Sequence, residues 1–131
     1  MSSTIWSGEK SFSATSGSET VVAIPMPHRG VLRGYSLSQT SGTTAGAAAA
    51  LYTSNQATEP NSNLPAEAFH LLDITLTAAA KVDNHNLTLA YLNRDGSPST
   101  PQRYLYLKIT PVGSGAKNFV FAVTVETPML R

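Results

Sequence analysis

The sequence contains no cysteine. That excludes disulfides, iron–sulfur clusters, thiolate zinc sites and cysteine nucleophiles. Charge is also scarce: 13% of residues are Asp, Glu, Lys or Arg, about half of the ~25% usual for soluble domains. Nine basic against eight acidic side chains leave a net charge of +1. There is thus no electrostatic case for a nucleic acid or an anionic membrane as partner. Long apolar runs are missing too. The longest, Ala47 to Tyr52, falls far short of the ~20 residues a bilayer core requires. Met1 to Trp6 lacks a basic region followed by an apolar stretch, so a signal peptide is not expected. No P-loop, G-x-G-x-x-G or Gly-x-Ser-x-Gly elbow occurs, and with them go the commonest nucleotide-binding and hydrolase signatures.

What the chain does have is 15 serines, 15 threonines and 41% hydrophobic residues in 131 positions. That is room for one domain with a core of its own. Short apolar segments alternate with Gly, Pro, Asn and Ser clusters along the whole length, the pattern of an all-β sandwich or barrel. Thr20 to Pro25 reads as a strand stopped by proline. Val31 to Gln39 alternates, with Tyr35 and Leu37 pointing inward together with Val31, Arg33 and Gln39. Ala47 to Thr53 is ambiguous, since four alanines favour helix. The run is too short for a free-standing helix and is read as a small-residue strand.

Ser54 to Pro65 is the best candidate for a long surface loop, and Pro65 permits one short helical turn through His70. Leu72 to Thr77 and Leu87 to Leu92 read as strands, Val82 to Asn86 as a turn, and Asn93-Arg94-Asp95-Gly96 as a tight turn. Arg103 to Thr110 alternates cleanly, with Leu105, Leu107 and Ile109 inward and Tyr104, Tyr106 and Lys108 outward. Phe119 to Val125 places Phe119, Phe121, Val123 and Val125 on one face. With Ile5 to Phe12 as one or two edge strands, the total is about eight, which suits an antiparallel β-sandwich of jelly-roll type. Residues 1–20 form an N-terminal arm or edge segment and 21–131 the single sandwich domain.

Candidate chemistry is thin. Asp83 and His85 lie two apart and His70 and Asp73 three apart. On a strand the first spacing puts both groups on one face, but Asp83-Asn84-His85-Asn86 is equally a run of turn formers. Asn93, Asp95 and Gly96 resemble the opening of a calcium loop without the acidic residue that would close it. Neither metal nor cofactor is therefore expected, and an enzyme is not expected. Among the aromatics, Tyr104 and Tyr106 share one strand face, a spacing suited to stacking on sugars or to a subunit contact. Trp6, in a polar segment with Ile5, is the candidate anchor for a partner. The tract Ala45 to Ala50 offers a face with almost no bulk. Either another chain's strand or a bulky residue of the opposing sheet can fill it. Ile5, Trp6, Ala47, Ala49, Tyr52, Tyr104 and Tyr106 are thus the candidate interface residues.

The run Val31-Leu32-Arg33-Gly34-Tyr35-Ser36-Leu37-Ser38-Gln39-Thr40-Ser41-Gly42-Thr43 resembles small structural proteins of tailed bacteriophages. So does Tyr91-Leu92-Asn93-Arg94-Asp95-Gly96, followed by the stretch from Thr100 to Pro111. The likeness covers residues 30 to 127 and is one of composition and order. It implies a β-sandwich virion component, a capsid decoration or cement protein whose partners are a major capsid protein and copies of itself, often in a trimer. It carries no catalytic residues. It implies a place on the virion, reached by assembly in the host cytoplasm. The alternative is a lectin-like, host-glycan-binding module of a phage tail or fibre, and a small hydrolase stands behind both.

Overall fold

Period-2 alternation with inward Leu, Ile, Val and Phe drives the chain into strands throughout. The structure, a computed structural model, describes residues 3–26, 29–53, 68–92 and 103–128. Nine strands follow in order: β1 (Ser3–Thr15), β2 (Thr20–Met26), β3 (Arg29–Ser41), β4 (Gly46–Thr53), β5 (Phe69–Thr77), β6 (Lys81–Asn84), β7 (Leu89–Leu92), β8 (Arg103–Pro111) and β9 (Ala116–Pro128). One sheet runs β1-β9-β3-β6, with β7 also on β3; the other runs β2-β8-β4-β5. Every pairing is antiparallel. Because β6 and β7 flank the same strand, they act as two halves of one. Counted so, the eight strands exchange between sheets in the order of a jelly roll.

The two inner faces supply one core. Leu32, Leu37, Phe119, Phe121, Val123 and Val125 come from the first sheet. Val22, Ile24, Leu51, Ile74, Leu76, Leu105, Leu107 and Ile109 come from the second. Tyr35 is buried in the same cluster, stacked 6.4 Å from Phe121, and Leu89 packs against its margin. The inward positions anticipated for β8 and β9 therefore hold. Gly46 shows why the entry to β4 needs glycine. Its φ is +99°, and a Cβ there would meet the Leu76 carbonyl oxygen at 2.6 Å.

Four local readings are corrected. Lys81 to Asn84 is strand, not turn, because β3 offers a free edge that pairs it from Ser38 to Tyr35. Phe69 and His70 open β5 rather than closing a helical turn. β2 runs through Pro25 to Met26, which an edge strand tolerates because its outer side needs no donor. Val31 and Arg33 do not share the inward face of Tyr35, because the register of β3 on β9 shifts between Leu32 and Gly34. This β-bulge turns Leu32 into the core and Arg33 outward, where it bonds Glu126 at 2.8–2.9 Å and Thr88 at 2.9 Å. The edge strand expected over Ile5 to Phe12 is present as β1, which pairs with β9 along its whole length. The loop expected at 54–65, the turn at 93–96 and the calcium-like residues Asn93 and Asp95 lie outside the described residues.

Candidate functional site

On the second sheet, the outward positions of four strands fall into rows. Ala23 of β2, Tyr106 of β8, Tyr52 of β4 and His70 of β5 stand opposite one another. Val21, Lys108, Ala50 and Asp73 form the next row. Ala23 and Ala50, small residues in these rows, are themselves buried. Tyr106 is 0% exposed although it faces away from the core. Tyr104 tilts against it at 41°, ring centroids 6.2 Å apart. Tyr52 meets His70 edge-on at 5.5 Å. Tyr52 and Tyr104 are half-buried, so each keeps part of its surface in solvent.

A polar rim holds these rings. The Lys108 ammonium sits 5.4 Å from the Tyr52 ring centroid and 3.8 Å from a Glu19 carboxylate oxygen. A hydrogen bond to Tyr52, helped by the charges of Glu19 and Asp73, raises the Lys108 pKa above the usual lysine value despite some desolvation. His70 Nε2 lies 2.8 Å from Asp73 Oδ1. Three residues apart on a regular strand, the two would face opposite ways. The register shift in β5 beside Leu51 and Tyr52, where Leu71 is passed over, puts them on one side.

The candidate residues named from the sequence therefore separate. Tyr52, Tyr104 and Tyr106 come together, with Tyr106 as the buried floor rather than a contact surface. Ala47 and Ala49 point inward and belong to the same core cluster as Phe119 and Phe121, so their space is filled within one chain. Trp6 folds back along β1 against the core. A Cβ on Gly8 would lie 2.5 Å from its ring carbon Cζ3 and 3.2 Å from Ile24. Glycine two positions after the tryptophan is thus what lets the indole cover this end of the sandwich. Ile5, on the opposite face of β1, is 60% exposed.

Glu19, His70, Asp73 and Lys108 were not anticipated as one cluster. The only trace of it in the sequence is the His70–Asp73 spacing, which becomes meaningful through the bulge. Asp83 and His85 do approach, at 3.6 Å, but Lys81 also stands 3.6 Å from the same carboxylate oxygen. Among the described residues no group of three or more His, Asp or Glu is gathered for a metal ion.

No protein-family model matches the chain, and no curated protein matches it. Similar solved structures do exist. One is a crystal structure of FLHE, 12% identical, TM-score 0.50, covering 98% of this chain and all of that one. A cyanophage Pam1 capsid asymmetric unit gives 11% identity and TM-score 0.48 over 96% of this chain and 85% of that one. The infectious bursal disease virus Gt strain gives 13% and 0.39 over 95% and 33%. The first of these likenesses supports the β-sandwich fold. Phage and viral capsid proteins are thus among the structural neighbours, at low identity.

Proposed function

We propose that the chain is a non-catalytic virion structural protein that decorates or cements a phage capsid, with a major capsid protein and further copies of itself, as a trimer, for partners. The observation that carries this reading is the strand order β1-β9-β3-β6 over β2-β8-β4-β5. That architecture recurs in viral capsid and lectin domains. The step from it to a function is a fold-level analogy, joined here to the likeness of residues 30–127 to tailed-phage structural proteins. The low charge of the chain supports it, since contact surfaces are poor in charged residues at their centres. Exposed Ile5 on the edge strand β1 is the side chain best placed for capsid contact. No cofactor enters this reading.

The test is co-sedimentation of the purified chain with phage heads, together with its mass in solution. Saturable binding by a trimer, weakened by Ile5→Asp with an unchanged melting temperature, is the expected result. A monomer at micromolar concentration that stays in the supernatant contradicts the reading.

A further inference from the structure

We propose that the outer face of β2-β8-β4-β5 binds a neutral carbohydrate. In this site Tyr52 and Tyr104 stack on sugar rings, while Glu19, Asp73 and His70 hydrogen-bond to sugar hydroxyls. The proposal is independent of capsid attachment, since it concerns one sheet face and not the β1 edge.

Three observations lead to it. First, the rings are fixed before any ligand arrives. Tyr104 leans on Tyr106, which is fully buried, and Tyr52 is held between His70 and Lys108. A platform already in place loses little freedom on binding. Second, the polar groups beside the rings are of both kinds. Asp73 and Glu19 are acceptors and largely in solvent, with 78% and 57% of their side chains exposed. His70 and Lys108 can donate. A sugar presents an apolar ring face flanked by hydroxyls that donate and accept, and this face offers the complement of each. Third, two carboxylates stand against one ammonium, an acidic excess that disfavours a phosphate or sulfate ester and leaves a neutral ligand. A protein partner is the competing occupant; the acidic groups stand on the rim of the face, on edge strand β5 and just before edge strand β2.

The experiment is binding of the full chain to immobilised and soluble neutral oligosaccharides of glucose, galactose and N-acetylglucosamine. The wild-type chain should bind at least one of them. Tyr104→Ala should weaken that binding about tenfold, the worth of one stacked ring. Asp73→Asn, at an exposed position where folding is not at stake, should weaken it about tenfold through the lost charged acceptor. Ser36→Ala, on the outer face of the other sheet, should change nothing. No binding to any neutral oligosaccharide at millimolar concentration overturns the proposal. So does binding that survives both Tyr104→Ala and Asp73→Asn. Loss of head co-sedimentation in Tyr104→Ala, without any glycan signal in the wild type, assigns the face to protein docking and overturns it as well.

Discussion

The two outer faces of the sandwich are built from the same alternation and yet are unlike. On β1-β9-β3-β6 the outward rows read Glu9, Ala122, Ser36, Asp83 and Ser11, Val120, Ser38, Lys81. These side chains are small or are charged groups at the edges, and none of them is fully buried. On β2-β8-β4-β5 the corresponding row carries Tyr106, Tyr52 and His70, and Tyr106 has no contact with solvent. The difference shows that outward is not the same as exposed. An outer face grows a layer of its own where large rings pack on one another above the sheet. The second face carries a layer of rings that the first lacks, and rings offer a ligand a surface to stack on.

Substitutions along β8 and its neighbours test this contrast. The largest effect belongs to the inner side. Leu107→Asp buries an unpaired carboxylate and should cost several kcal/mol, enough to unfold a domain whose whole stability is about 5–15 kcal/mol. Circular dichroism reads the loss of strand signal. Next comes Tyr106→Ala, one residue away and facing outward. If the second layer is real it should cost about 3–5 kcal/mol in urea unfolding, as for other large buried rings; a cost within ~0.5 kcal/mol, normal for surface positions, would erase the contrast. Gly46→Ala, which meets both a positive φ and the Leu76 carbonyl, should cost about 1–3 kcal/mol.

The smallest effect is at Lys108. Its side chain is about one-third exposed, so Lys108→Met should change stability by less than about 1 kcal/mol at neutral pH. The pKa of Lys108 is raised by folding. Its contribution is therefore complete below the ordinary lysine pKa and disappears as pH rises through the higher folded value. Wild type and Lys108→Met should converge in melting temperature above that range, and a gap that widens there contradicts the assignment.

Much of the fold was legible because strand faces repeat every two residues. Leu105, Leu107 and Ile109, or Phe119, Phe121 and Val123, announce their side without any knowledge of neighbours. The β-bulges were not legible. Nothing in Leu32-Arg33-Gly34 or His70-Leu71-Leu72 marks where a register slips, since the slip is decided by the partner strand. Those two slips turned Arg33 out and brought His70 beside Asp73. The burial of Tyr106 was hidden for a similar reason. Its row neighbours Ala23 and Tyr52 are far away in the chain and are brought beside it by the strand crossovers. Trp6 was read as an anchor for a partner; its packing against the core goes with Gly8, two positions later on the same strand face, which leaves the space its indole takes. The likeness to phage structural proteins pointed to a sandwich without saying which of its faces matters.

The unequal faces can be measured directly by nitrating the native protein and locating the modified tyrosines by mass spectrometry. Tyr52 and Tyr104 should react in the folded state, and Tyr106 should react only once the protein unfolds. If Tyr106 is modified as fast as Tyr104 under native conditions, the outer layer does not exist, and the carbohydrate platform built on it goes with it.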